Sequence, residues 1–188
     1  MESSQPPIPA WGAPLWSQFG AALDMLQNAL VACPDDLWTR PLWPAPPGLP
    51  PAPFWYLGYH VIFWTDLYLS GPSSAWDSFA PPAPFTRGEP GSDEIEGPLP
   101  EQPYSREAIL GYLAYARQKS QQILTTLTDE QARQPFIFPW KPDQPVSSLE
   151  LHLYSLRHIQ EHAAQLSVFL GQHGVPGEAL DWVMWAKA

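Results

Sequence analysis

Residues 54–71 read FWYLGYHVIFWTDLYLSG, a stretch free of proline. Phe54, Trp55, Leu57, Val61, Ile62, Phe63, Trp64, Leu67 and Leu69 fall on every side of a helical wheel. A helix apolar nearly all round belongs in the middle of a protein, so this one should be the most buried, with Gly71-Pro72 ending it. The apolar run from Pro53 to Trp64 includes His60 and falls short of the roughly 20 residues that cross a bilayer. No membrane partner is expected.

Outward from this segment the prolines divide the chain. It has 188 residues and 25 prolines. Apart from Pro176 they fall at the N-terminus and in three blocks, Pro34–Pro53, Pro72–Pro103 and Pro135–Pro145. A proline inside a helix costs roughly 3 kcal/mol. The other proline-free segments, Leu15–Cys33, Tyr104–Gln134 and Val146–Val175, therefore read as three further helices. Leu15, Phe19, Ala22, Leu23, Leu26 and Leu30 form a stripe on the first. On the third, Ser105 can cap the sequence Ala108, Tyr112, Tyr115 or Ala116, Lys119, Ile123, Leu127. The fourth opens with Ser147-x-x-Glu150, a capping box, and continues with Leu149, Leu153, Leu156, Ala163, Leu166 and Leu170. Gly171 or Gly174 stops it. No segment alternates like a strand, so the fold predicted is all-α, a four-helix bundle forming a single domain over 1–188. A proline-rich extension (1–13) precedes it and a tryptophan-containing tail (176–188) follows, the tail docking on the body or on a partner subunit. The connection between the second and third helices is long enough to run back along a helix, so that those two can lie parallel.

Charge and composition narrow the function. The net charge is −10 and the sequence pI about 4.7, with no basic block, which disfavours nucleic acid as a partner. The single cysteine, Cys33, rules out an internal disulfide and a cysteine-rich zinc site. No secretory signal is visible at the N-terminus, so a soluble, cytoplasmic protein is expected. In the long connection Glu89, Asp93, Glu94, Glu96 and Glu101 follow one another without a Lys or Arg after Arg87. They read as a solvated acidic loop, with a docking surface for a basic partner as the alternative. Ten tryptophans are present, several of them in the loops and the tail. They read as anchors that pin proline-rich loops to the bundle, or as a pocket wall or dimer surface.

Five histidines remain. His158 and His162, in HIQEH, stand at i, i+4 on one helix face. His60 interrupts the most apolar helix, where an imidazole is either a hydrogen-bonded core group or a ligand. With the pair available on another helix, three neutral imidazoles around one metal ion make the economical reading. Three histidines leave positions open for water or substrate, as catalytic metal sites do. Glu161 completes an HxxEH signature in which the glutamate is a general base. The chain has no protease-sized second domain, so Glu161 either supports or serves the metal in that way or is a surface group. His152 is predicted to face away from the pair, and His173 to be solvated at the helix end.

These strings carry a resemblance. A histidine mid-way along FWYLGYHVIFWTDLYLSG, followed far downstream by LRHIQEHAAQLSVFLGQHG, resembles the DinB-like superfamily. So does Leu37-Trp38-x-Arg40-Pro41 ahead of the second helix. The likeness covers roughly residues 14 to 172. It implies a four-helix bundle in up-down-down-up order, the second and third helices parallel. It also implies a divalent metal, zinc or nickel, held by His60, His158 and His162. Some members transfer low-molecular-weight thiols such as bacillithiol or mycothiol, another branch isomerises maleylpyruvate, and homodimers are common.

Two functional readings follow. One is an enzyme acting on a small-molecule substrate, a thiol S-transferase or a hydrolase, with the metal activating a thiol or water. The other is a non-catalytic metal-binding or interaction bundle. DNA repair is disfavoured by the charge.

Overall fold

The structure, a computed structural model, describes residues 11–44, 52–88, 95–180 and 182–187. Four long helices dominate it: α1 (Gly12–Ala32), α2 (Phe54–Tyr68), α3 (Arg106–Thr126) and, after a short α4 (Asp129–Arg133), α5 (Ser148–Gln172). Pro14 lies in the first turn of α1, where a missing N–H costs nothing, so that helix begins three residues before the proline-free segment does. Ser105 caps α3 by accepting from the Ala108 N–H at 3.2 Å. The Ser147/Glu150 capping box opens α5 as its sequence predicts. A second capping box, Thr128 with Gln131, starts α4. Two-residue strands β1 (Pro135–Phe136) and β2 (Val146–Ser147) pair antiparallel. This clip is too short to alternate and so gives no sequence signal.

The stripe read on α1 is buried throughout. On α3 the buried line is Ile109, Tyr112, Leu113, Ala116, Ser120 and Leu124, while Tyr115 is exposed. On α5 Leu153 is exposed, and Leu151, His152, Ser155, Ile159, Ala163, Leu166 and Leu170 face the core. The stripe read on α5 departs at one place: Leu153 is exposed while His152 and Ser155 face inward, and Leu149 and Leu156 pack against the core partly buried.

Partner side chains set the helix directions. Gly12 of α1 lies against Leu124 and Thr125 of α3, and Arg106 at the other end of α3 donates to the Cys33 carbonyl at 2.6 Å. α1 and α3 are thus antiparallel. Tyr104, just ahead of α3, packs on Trp55 and Tyr59, whereas Lys119 near its far end reaches Ser70 beyond the end of α2. α2 and α3 are therefore parallel. Phe54 meets Phe169 and Tyr68 meets Tyr154, so α5 runs against α2. The order is up-down-down-up, with each helix packed mainly on two neighbours and α1 and α2 diagonal.

The connection from α2 to α3 runs back along α2. Trp76, in a short 3₁₀ turn (Ser73–Ser78), packs on Tyr68 and Trp64. Phe79 then meets Phe63, and Phe85 stacks on Tyr59 at 5.5 Å. The loop between α4 and α5 adds Phe136, Phe138 and Trp140 over the same end of α2. Buried Trp38 and Trp76 fulfil the anchoring role read from the sequence, while Trp43, Trp140, Trp182 and Trp185 are exposed. The tail docks on the body: the Lys187 N–H donates to Asp24 at 2.7 Å and the Ala186 N–H to the Ser17 carbonyl at 3.0 Å. Gly20 makes this possible, since a Cβ there would stand 2.6 Å from that of Ala186.

Among the described residues two carboxylates, Asp24 and Asp66, are buried in the bundle, and α3 supplies a cation to each. Arg117 pairs with Asp24 at 2.9 Å. Asp66, fully buried on α2, takes Lys119 at 2.5 Å and the Tyr112 hydroxyl at 2.9 Å. Removing one partner of such a pair leaves an uncompensated charge in the core. Lys119→Met should lower the free energy of unfolding by about 3–5 kcal/mol in urea titrations. Adding Asp66→Asn should recover part of that loss, because the amide oxygen still accepts from Tyr112 without carrying a charge.

Candidate metal centre

His60 lies mid-way along α2, and the reversed direction of α5 brings His158 and His162 opposite it. The ring centroids are 5.1 Å apart for His60 and His158, 5.3 Å for His60 and His162, and 4.5 Å within the pair. One ligand atom from each of the three lies within 4.8 Å of the others. Among the described residues this is the one group of histidine, cysteine and carboxylate side chains so gathered.

Hydrogen bonds fix how the rings present their nitrogens. His60 Nδ1 is 2.7 Å from Glu96 Oε2. A carboxylate only accepts, so a proton sits on Nδ1, and Nε2 is the nitrogen turned to the other histidines. His162 Nδ1 likewise donates to Gln165 Oε1 at 2.7 Å. His158 Nε2 lies 3.2 Å from His60 Nε2, so the two rings share one hydrogen bond. His158 Nδ1 and the Ser155 hydroxyl, one turn apart on α5, are both buried without a partner.

Burial favours the neutral form of the two α5 histidines. Desolvation, reinforced by the two neighbouring imidazoles, pushes His158 down to about 3. His162 is also lowered, mainly by burial, with the bond to Gln165 opposing the shift. Neutral imidazole is the form that can donate a lone pair to a cation. The centre is not sealed: the His60 side chain is 27% exposed. Trp64 stands one turn from His60 and meets the exposed Trp140 at 5.8 Å, which places aromatic surface beside the cluster.

The remaining sequence candidates separate clearly. Glu161 is exposed on the outer side of α5. His173 is exposed at the helix end, its Nδ1 donating to the Phe169 carbonyl. His152 lies about 120° round the helix from His158, less far than expected, and faces the core. Cys33 is buried, and burial pushes its thiol up to about 12, so no thiolate forms there. Glu89, Asp93 and Glu94 of the acidic stretch, and residues 1–10 of the N-terminal extension, lie outside the described residues. Glu96 corrects the reading of that stretch as solvated. Its side chain is only 10% exposed, and besides His60 its Oε2 accepts from Trp64 Nε1 at 2.8 Å. Nothing in its sequence neighbourhood distinguishes it from the other acidic residues; only the path of the loop does.

The model of the DinB superfamily matches residues 18–166, a span that holds all three histidines and Glu96. The chain belongs to the DinB superfamily. Comparison with curated proteins and with solved structures finds no match. No helix among the described residues is long and apolar enough to cross a membrane.

The buried histidines give stability a definite pH dependence. Burial lowers His152 to about 4, whereas the unfolded chain protonates it near 6.5. The unfolded state therefore binds more protons between these values, and stability present above about pH 6.5 is lost as the pH falls towards 4. In chelator, the free energy of unfolding should fall by about 3 kcal/mol through His152 alone, at about 1.4 kcal/mol per pKa unit. Urea titrations at pH 7 and pH 4.5 should show a smaller fall for His152→Leu than for wild type.

Proposed function

We propose that this protein is a divalent-metal-dependent enzyme in which His60, His158 and His162 hold the ion, zinc or nickel. The reaction is transfer of a low-molecular-weight thiol to, or hydrolysis of, a small-molecule substrate. The observation that carries the reading is the convergence of three imidazoles from two helices, two of them with Nδ1 already committed to an acceptor. Three nitrogen donors suit zinc and nickel, and three protein ligands are the count found in catalytic rather than structural sites. When bound, the ion supplies Lewis-acid chemistry that makes a thiol or water acidic enough to react as its anion near neutral pH.

The chain's own residues do the rest. Glu96 and Gln165 hold protons on the outer nitrogens of His60 and His162, which leaves the inner nitrogens as the ones to meet an ion. Burial keeps His158 neutral across the physiological range. Trp64 and Trp140 border the cluster with apolar surface, which favours an organic substrate and restricts water. Cys33 is buried in the thiol form, so a reacting thiolate has to arrive with a cosubstrate. Glu161 is exposed, and a general-base role for it requires the substrate to approach from the outer side of α5.

Protein purified without chelator or affinity tag should contain about one divalent ion per chain by mass spectrometry, and His158→Ala should lose it. Glu161→Ala should keep the ion. A wild-type chain that holds no ion even after incubation with zinc or nickel would overturn the reading and leave a bundle with a polar core. An ion retained without turnover of any thiol or hydrolysable substrate would favour the non-catalytic reading.

A further inference from the structure

Among the described residues, the loop between α2 and α3 makes one polar side-chain contact with the histidine cluster, and its geometry is specific. Glu96 Oε2 accepts two hydrogen bonds, from His60 Nδ1 at 2.7 Å and from Trp64 Nε1 at 2.8 Å. His60 and Trp64 are one helical turn apart, so the carboxylate bridges two rungs of α2. Its backbone is held as well. The Tyr59 hydroxyl donates to the Thr86 carbonyl at 3.0 Å and reaches the Glu96 carbonyl at 3.4 Å, and Gly88 N–H donates to the Ile95 carbonyl at 3.0 Å. Gly97 follows with φ +80°, and a Cβ there would meet Gly88 N at 3.1 Å, so the turn that delivers Glu96 calls for glycine.

We infer that Glu96 is a positioning residue for the metal centre: by accepting the hydrogen bond from His60 Nδ1–H it aims Nε2 at the ion, and it couples the order of the long loop to ion binding. The inference rests on the metal-centre reading above. Glu96 is not itself part of the group whose ligand atoms lie within 4.8 Å, so it acts through His60. Trp64 holds the carboxylate in one orientation, which leaves His60 little freedom to rotate. Coupling is reciprocal. If a seated loop sharpens the centre for the ion, then the ion must stabilise the seated loop, and the loop's hydrogen exchange reports on the centre without any turnover.

The test uses the full chain and zinc alone. Zinc affinity is measured by competition with a chromophoric chelator for wild type, Glu96→Ala, Glu96→Gln and Glu101→Ala. Outer-shell hydrogen bonds of this kind carry about 10–100-fold in metal affinity. Glu96→Ala should weaken zinc binding by about that factor. Glu96→Gln, which keeps an accepting oxygen, should lie between it and wild type, and Glu101→Ala, at an exposed acidic position, should match wild type. Zinc should slow amide exchange at residues 85–88 and 95–99 in wild type and not in Glu96→Ala. In chelator, the ¹⁵N shifts of the His60 ring should report a proton on Nδ1 in wild type and in Glu96→Gln, and a mixture of tautomers in Glu96→Ala. Unchanged zinc affinity in Glu96→Ala, or a wild-type His60 protonated on Nε2, would overturn the inference. Should Glu96→Ala not fold, Glu96→Gln and the wild-type tautomer still decide it. A wild type that binds no zinc but carries the Nδ1 proton would instead count against the metal reading alone.

Discussion

Helix α2 presents large apolar side chains around its whole circumference, and every face left in water would cost about 25 cal/mol per Å². It must be covered on all sides, and two neighbouring helices cannot do that. α3 and α5 cover two sides. The long connection returning from the end of α2 covers another with Trp76, Phe79 and Phe85, and the loop before α5 closes the rest with Phe136, Phe138 and Trp140. A connection that runs back along α2 delivers the chain to the start of α3 beside the start of α2. The parallel arrangement of those helices is thus a consequence of covering α2, and so is the arrival of Glu96 at His60.

The same burial shapes the chemistry. An imidazole taken out of water loses its positive form first, because desolvation penalises charge. Three rings gathered together also repel one another's protons, and His158 shows both effects. His158 and His162 are therefore held in the neutral state, the state with lone pairs to give. Polar groups in such surroundings are costly unless partnered. Glu96 and Gln165 meet that requirement at the outer nitrogens of His60 and His162, whereas His158 Nδ1 and Ser155 stay unpaired. In a chain of net charge −10, a cation is the natural guest for inward-facing lone pairs.

Much of this was legible in the residues, and the parts that were not share a cause. The four helices follow from where proline is absent, and the caps from Ser105 and the Ser147/Glu150 pair. The three histidines follow from an i, i+4 pair and an imidazole inside an apolar helix. What periodicity missed were polar residues on inward faces. His152 and Ser155 face inward on α5 where Leu153 does not, and Ser120 holds a buried place on α3. Glu96 was hidden among acidic neighbours because its burial depends on a loop path fixed by Phe85, Tyr59 and Gly97. Sequence spacing reports neighbours along a helix. It is silent about a contact made across 36 residues by a turn.

The central claim, a three-histidine cation site between α2 and α5, is tested most directly by X-ray absorption at the metal edge of zinc-loaded protein. Three imidazole nitrogens at about 2.0–2.1 Å, with the remaining coordination completed by exchangeable light atoms, is the expected result. The second-sphere signature of three imidazoles should drop to two in His60→Ala. A spectrum dominated by carboxylate oxygen, or one unchanged by the loss of His60, would place the ion elsewhere and contradict the claim.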